Sequence, residues 1–276
     1  MSEYPLLPGH YYFKNDASIQ SMITEESPYQ IRHRHDFIEI AYVVEGEGLH
    51  YIGDKILRAR RGDLYLIPAG ESHVFQPRDL SGKLPLRIMN CLYNAESITE
   101  AAHHIPQSWQ VYHDDTGECE TIFAKMLIEQ QHTAISRDAL VSLWTQLLEI
   151  LLFKSEKAPM HYLENDEAPI HQAIQLMCLK FMNPLTLQEV SGFVAMSTRH
   201  FQRLFKSSTG SSFIQMLQDI RIRNGCGLLQ YTRMSVQSIA ETVGIHDMHY
   251  FYRLFRERCG MTPAAFRLFH DRRGTA

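Results

Sequence analysis

From Phe37 to Tyr93 the chain alternates short apolar runs with turn residues. Phe37-Ile38-Glu39-Ile40-Ala41-Tyr42-Val43-Val44 stops at Gly46-Glu47-Gly48. Leu49-His50-Tyr51-Ile52 and Lys55-Ile56-Leu57 flank Gly53-Asp54, a pair that tolerates the positive φ of a two-residue hairpin. Leu64-Tyr65-Leu66-Ile67 runs from Arg61-Gly62-Asp63 to Pro68-Ala69-Gly70, and Leu86 to Tyr93 reads as one more strand. Short strands at this spacing predict a sandwich or barrel. Downstream the pattern becomes helical. Ile122, Phe123, Met126 and Leu127 recur at helical spacing, as do Leu140, Trp144, Leu147 and Leu151, with Ser136 as N-cap and Asp138 in the first turn. The second stripe fits two roles, a helix packed on the strands or a dimerisation seam.

The stretch from Ala158-Pro159 to Ala168-Pro169 is polar, acidic and bounded by prolines, which predicts a linker. Beyond it the chain repeats itself. Leu187-Gln188-Glu189-Val190 matches Val236-Gln237-Ser238-Ile239 at an offset of 49, and Phe201-Gln202-Arg203-Leu204-Phe205-Lys206 matches Phe251-Tyr252-Arg253-Leu254-Phe255-Arg256 at an offset of 50. Gly210 then matches Gly260, and the one inserted residue falls near Ser197 and His246-Asp247. Each copy reads as a helix, a short break and a second helix with Phe and Leu inside and Arg and Lys outside. That is helix-turn-helix grammar, with Phe201, Leu204, Phe205, Phe251, Leu254 and Phe255 expected in the core. Between the copies, Phe213 to Gln230 predicts a helix of about 18 residues, roughly 27 Å long. Major-groove openings on one face of DNA lie about 34 Å apart, so such a rod suits two recognition helices in adjacent grooves.

Composition adds the partner classes. Of 276 residues, 45% are apolar and 21% charged, an ordinary globular balance. From Ile170 onward there are 13 Lys+Arg against 6 Asp+Glu, a balance of +7, whereas residues 1–169 stand at −11 and the whole at −4. An acidic front and a basic back predict two modules, the second directed at a polyanion. No apolar run approaches the roughly 20 residues that cross a bilayer, and Met1-Ser2-Glu3-Tyr4-Pro5 lacks a basic, then apolar, leader. Cys91, Cys119, Cys178, Cys226 and Cys259 are scattered without a CxxC pair and read as reduced, buried thiols. The expectation is a cytoplasmic protein that meets no membrane. The predicted fold class is α+β multidomain: strands at 1–100, a helical segment at 101–157 with a candidate dimerisation role, a linker at 158–169 and an all-α module at 170–276.

Ile239-Ala240, Gly244-Ile245, Tyr250-Phe251, Arg253-Leu254-Phe255-Arg256, Gly260-Met261-Thr262-Pro263 and Phe266-Arg267 together resemble the signature of AraC-type transcription regulators over roughly 170–270. The front module is similar to the sensory cupin barrel of many members, and its wording is most like the rhamnose-operon activators. Phe213 departs from a common Pro, and Gly225 and Gly227 replace bulkier residues in the connecting helix, at about 1 kcal/mol each relative to Ala. The resemblance implies base contacts from Arg199, Gln202 and Arg203 in the first motif and from Asp247, Met248, His249 and Arg253 in the second. Lys206 and Arg256, later on their helices, would hold phosphates. Implied partners are double-stranded DNA, a small-molecule effector such as a sugar, RNA polymerase and a second copy of the chain.

His33-Arg34-His35, Glu39 and Gly46 form H-x-H-x3-E-x6-G, and Gly62, Pro68, Gly70 and His73 form G-x5-P-x-G-x2-H. Both resemble the two cupin motifs, complete in their ligand residues. His33, His35, Glu39 and His73 would suit Zn, Fe, Ni or Mn if they converge on the barrel interior. The same four residues also suit a metal-free effector pocket, and a third reading leaves the histidines as structural lining. Two functions follow: a DNA-binding regulator, an activator of a carbohydrate-use operon, or a metal-dependent cupin enzyme (dioxygenase or isomerase) fused to a nucleic-acid-binding module. The duplicated carboxy-terminal module favours the regulator.

Overall fold

A strand buried on both faces must be apolar on both, and Ile38–Glu45 is nearly so. In the computed structural model this strand, β4, lies at the centre of the amino-terminal unit. The structure describes residues 4–13, 17–80, 83–94, 105–131, 137–151 and 168–273, and divides into two units, Met1–Ala168 and Pro169–Ala276.

In the first unit the strands are β1 (Leu6–Leu7), β2 (Ile19–Glu25), β3 (Arg34–His35), β4, β5 (Glu47–Ile52), β6 (Lys55–Arg60), β7 (Asp63–Ile67), β8 (His73–Pro77), β9 (Arg87–Tyr93) and β10 (Gln110–His113). One antiparallel sheet has the order β10-β7-β4-β9-β2, a second the order β6-β5-β8, and β1 pairs with β3. The Gly53-Asp54 hairpin forms as expected, with Ile52 opposite Lys55. Gly46 turns β4 into β5 at φ 85°, and a Cβ there would fall 2.0 Å from the Pro85 carbonyl oxygen, so only glycine fits. Ala41, Val43, Tyr65 and Ile67 of the larger sheet meet Ile52, Leu57 and Phe75 of the smaller across a shared core. The result is a two-walled, sandwich-like form of the expected barrel.

The opposite face of the larger sheet is covered by α1 (Glu118–Gln131) and α2 (Arg137–Glu149). Ile38, Ile40 and Tyr42 pack there with Phe123, Met126 and Leu140, and Trp144 stacks on Tyr93 at 3.9 Å between ring centroids. The stripe Leu140, Trp144, Leu147 and Leu151 is therefore buried inside the unit, as the first of its two expected roles requires. Asp138 lies in the first turn as expected, whereas Ser136 lies outside the described residues. The short β1 and three longer strands were not anticipated. β2 mixes polar and apolar positions, β8 carries the buried polar His73 and Gln76, and β10 falls inside the 101–157 segment read as helical, where it extends the sheet edge beside β7.

The second unit is all helical: α3 (Ala168–Lys180), α4 (Leu187–Phe193), α5 (Thr198–Thr209), α6 (Phe213–Tyr231), α7 (Val236–Thr242), α8 (Met248–Cys259) and α9 (Pro263–Arg273). Because α3 starts at Ala168, the predicted linker at 158–169 lies outside the described residues except for its last two positions. The sequence repeat becomes a structural one. Ser197 caps α5 and Asp247 caps α8, and both helices end at a glycine with φ 73°, Gly210 and Gly260. Phe201, Phe205, Phe251, Leu254 and Phe255 are buried as expected, while Leu204 is only half-buried. Cys91, Cys119 and Cys178 are buried, but Cys226 and Cys259 are half-buried with their sulfurs 3.5 Å apart.

The connecting helix α6 has 19 residues, about 28 Å. Its two interior glycines answer no steric need. A methyl at Gly225 would meet Ile239 at 3.8 Å and Phe251 at 3.9 Å, ordinary contacts, and at Gly227 nothing lies within 4 Å. Gly225→Ala and Gly227→Ala should each stabilise the carboxy-terminal unit by about 0.5–1 kcal/mol in urea unfolding followed by circular dichroism. A loss of stability at either site would contradict this packing.

Candidate effector cavity and DNA interface

The interior between the two sheets is not wholly apolar. Side chains alternate along each strand, so the positions that place Ala41 and Val43 inside also place Glu39 there. Asn90 lies opposite Ala41 on β9, and His73 and His50 enter from β8 and β5. A cavity of about 100 Å³ opens among them, with Thr24, Glu26, His33, Glu39, His73 and Asn90 as polar lining.

The buried imidazoles settle one another's tautomers. The Phe37 carbonyl can only accept, so His35 donates from Nδ1 at 2.6 Å and leaves Nε2 as an acceptor. His73 Nε2 lies 3.2 Å from that atom and donates to it. His73 Nδ1 must then accept from His50 Nε2, 3.3 Å away, and His50 Nδ1 is buried without a hydrogen-bond partner. Burial holds all of them neutral: it lowers His35 to about 4 and takes His50 and His73 well below the ordinary range. His33 is also lowered by burial, against its bond to the Ile31 carbonyl at 3.0 Å. Burial, aided by the charge of Glu26, raises Glu39 to about 8. Burial likewise raises Glu26 to about 7, opposed by the Thr24 hydroxyl that donates to it at 2.6 Å.

The four expected ligand residues do not form one set. His35, Glu39 and His73 converge, with ligand atoms all within 4.8 Å of one another, and His33 is not part of that group. The three separations are 3.2 Å between the His35 and His73 Nε2 atoms, 3.4 Å from His35 to Glu39 Oε2 and 3.7 Å from His73 to Glu39 Oε2. Ligands about 2.1 Å from one ion lie roughly 3.0–3.5 Å apart, so the donor set fits a two-histidine, one-carboxylate metal site. The second nitrogens of His35 and His73 are already held, by the Phe37 carbonyl and by His50. His33 instead pairs its backbone with His73 and lines the cavity. Sequence reasoning missed His50, Glu26 and Asn90. His50 has one legible signal, its alternation with apolar Leu49 and Tyr51, which puts it on the interior face opposite Phe75.

In the second unit, α5 exposes Arg199, Gln202, Arg203 and Lys206, and α8 exposes His249, Arg253 and Arg256. Matched arginines rest on the side chain one turn earlier: Arg203 lies 3.3 Å from His200 Nδ1, and Arg253 stacks over the Tyr250 ring at 5.3 Å. Asp247 is exposed but its carboxylate accepts from the Tyr250 N–H at 3.0 Å, and Met248 is half-buried. Tyr252, exposed at the position matching Gln202, was missed although the repeat itself points to it.

Two family models match this chain. The AraC-like ligand binding domain covers residues 23–148, and a helix-turn-helix domain covers residues 190–268. The chain belongs to the AraC-type transcription regulators. It is similar to the HTH-type transcriptional activator RhaR of Escherichia coli O139:H28, at 25% identity over 251 residues, 85% of this chain and 86% of that one. It is 28% identical over 259 residues to the HTH-type transcriptional regulator YfiF of Bacillus subtilis, covering 88% of this chain and 81% of the relative. Among solved structures, the carboxy-terminal domain of AraT, a response regulator from Geobacillus stearothermophilus, is 32% identical over 37% of this chain and 84% of that chain, with a TM-score of 0.35. The AraC-type chain is thus a DNA-binding transcription regulator with a ligand-binding module. Among the described residues no helix is long and apolar enough to cross a membrane.

The buried carboxyls give the ligand-binding unit a pH signature. Unfolded glutamates titrate near 4.3 and unfolded histidines near 6.5. Above about pH 7 the unfolded glutamates have released their protons and the unfolded histidines most of theirs, while folded Glu26 and Glu39 hold theirs up to about 7 and about 8. The native state binds more protons there, so stability falls as pH rises from about 7 to about 8.5, by about 1 kcal/mol. Both tryptophans, Trp109 and Trp144, lie in this unit, so fluorescence-detected urea melts of ion-free protein read it directly. Glu39→Gln should flatten the slope. A wild-type stability that rises over this window would contradict neutral buried carboxyls.

Proposed function

We propose that this regulator activates a carbohydrate-use operon, engaging two adjacent major-groove segments when a small molecule enters the cavity of its amino-terminal unit. The duplicated helix pair carries the reading, because both copies expose an arginine at the same helical position, Arg203 and Arg253. Arg199, Gln202 and Arg203 read bases from α5; His249 and Arg253, flanked by Asp247 and Met248, read them from α8; Lys206 and Arg256 hold phosphates. Asp247 acts mainly by capping α8, since its carboxylate is engaged by the Tyr250 N–H. His33, Glu39 and His73 meet the effector at the cavity wall, with His35 positioning His73 from behind. A sugar effector, action as an activator, contact with RNA polymerase, a homodimeric state and a cytoplasmic location extend the likeness to the rhamnose-operon activators.

Arg203→Ala and Arg253→Ala should each reduce discrimination between operator and non-operator DNA by about 1–3 kcal/mol in competition binding. Lys206→Ala should weaken binding to all sequences alike and flatten the salt slope by about one. Footprints that protect a single groove segment per protomer would overturn the two-reader picture.

A second reading of the inner wall is favoured by the 3.2, 3.4 and 3.7 Å triangle of His35, His73 and Glu39. A divalent transition metal bound there would polarise an effector oxygen, with His33 free to hydrogen-bond the same ligand. If an ion serves the response, chelator should abolish effector-dependent operator binding and added ion restore it. Indifference to chelator would leave the three side chains as a hydrogen-bonded wall.

A further inference from the structure

One wall of the cavity holds a second cluster, on β2 and β9, which the histidine motifs do not touch. Asn90 and Met22 are opposed in register across these strands, with Thr24 one position further along on the same face. Asn90 Nδ2 donates to Thr24 Oγ1 at 3.1 Å, and Thr24 Oγ1 donates to Glu26 Oε1 at 2.6 Å. This relay fixes the amide of Asn90, whose Oδ1 is then a buried acceptor without a hydrogen-bond partner. Asn90 is 9% exposed and Glu26 8%, and both line the cavity. A buried acceptor left unfilled carries a desolvation cost, which a ligand donor that fills it removes.

The rest of the lining adds acid and no base. His33 commits its Nδ1 proton to the Ile31 carbonyl and has only the lone pair of Nε2 left to offer. Glu39 adds a second carboxyl, Gln30 and Tyr12 add neutral polar groups, and among the described residues no Lys or Arg lines the cavity. A carboxylate or phosphate ligand would meet two carboxyls and no cationic partner there. A cationic nitrogen brings donors and no acceptor, and it pairs with a carboxylate that has no base of its own. The rings of Tyr12, Phe37 and Phe75 complete the same lining. Burial supports the pairing, since it raises Glu26 to about 7 and a cation beside it would draw it to the carboxylate form.

We propose that the effector carries a protonated amine, as an amino sugar or other small hydroxylated amine does, and that Glu26 and Asn90 Oδ1 receive it. This rests on the cavity being the effector site. It also assigns specificity to Glu26 and Asn90 rather than to the histidine cluster.

The test uses the full chain and three probes with a common two-carbon frame: ethanolamine, ethylene glycol and glycolate, cationic, neutral and anionic. Binding is read by thermal shift and by tryptophan fluorescence titration. Ethanolamine should raise the melting temperature in a saturable way and outdo the other two. Glu26→Gln, nearly isosteric, should weaken ethanolamine binding by about tenfold or more, the loss of one charge-assisted hydrogen bond. Asn90→Leu should weaken it too, and added chelator should leave it within about threefold, which separates this subsite from the metal triangle. A stronger response to ethylene glycol or glycolate, or a Glu26→Gln protein that binds ethanolamine normally, overturns the proposal while keeping the cavity as effector site. If no probe shifts a protein that still binds DNA, the proposal falls together with the cavity's role, and the assignment of DNA contacts stands apart.

Discussion

The amino-terminal unit depends on one constraint: the larger sheet must bury both its faces, against two different partners. Along β4 the even positions Ile38, Ile40 and Tyr42 serve the helices, while Ala41 and Val43 serve the smaller sheet. The same alternation runs through β7, where Leu64 and Leu66 face the helices and Tyr65 and Ile67 the interior. A one-residue slip in any strand would exchange the two sets, so register is strongly specified. Glu39, Asn90 and Met22 occupy the interior because they share a face with residues whose burial fixes the register. The cavity is thus a region of the core where the interior positions are polar, held in place by apolar positions further along each strand.

That origin explains what the sequence could and could not reveal. The hairpin at Gly53-Asp54 and the strands β4, β5 and β7 were legible because turn chemistry and apolar runs coincide there. The repeat in the second unit was legible because its buried phenylalanines recur at a fixed offset. β2, β8 and β10 were obscure for the opposite reason. Each devotes interior positions to polar groups or lies at a sheet edge, and strand propensity reflects a pleated, half-buried surface. Of the site, the histidine motifs announced His35, Glu39 and His73. Nothing local announced Glu26 or Asn90, which become partners only through Thr24, two residues from Glu26 but 66 from Asn90 across the β2–β9 pairing. His33 was assigned to the ligand set by its spacing from His35, yet its Nδ1 is committed to the Ile31 carbonyl and its side chain lies outside the convergent group.

Burying so many ionisable groups in one place is tolerable because almost none is charged. Four imidazoles and two carboxyls as ions would carry a large desolvation cost. As neutral groups they become donors and acceptors, and the relay from the Phe37 carbonyl through His35 and His73 to His50 satisfies all but its last nitrogen. Arg32, whose charge disfavours protonation of His50 and His73, is itself held by the carbonyls of Gly53 and Ser72. A ligand that brings charge into this setting gains most if its sign is opposite to that of the groups it can ionise; Glu26 and Glu39 favour a cation, whereas burial and Arg32 already oppose charging His73.

The two recognition helices show the division of labour from the other side. Their buried positions repeat almost residue for residue, and both end at a left-handed glycine, so the two scaffolds present the same face at the same pitch. The exposed positions have diverged: Arg199 stands against His249 and Gln202 against Tyr252, while Arg203 stands against Arg253 and Lys206 against Arg256. On the proposed roles, positive charge is kept at the phosphate and guanine positions, and the hydrogen-bonding pattern is changed where neighbouring bases would be read. Two copies of one fold with unlike exposed faces would then read different short sequences. That reading suits each protomer to an asymmetric site whose two segments differ, and any symmetry in an operator would come from pairing of whole protomers rather than from the internal repeat.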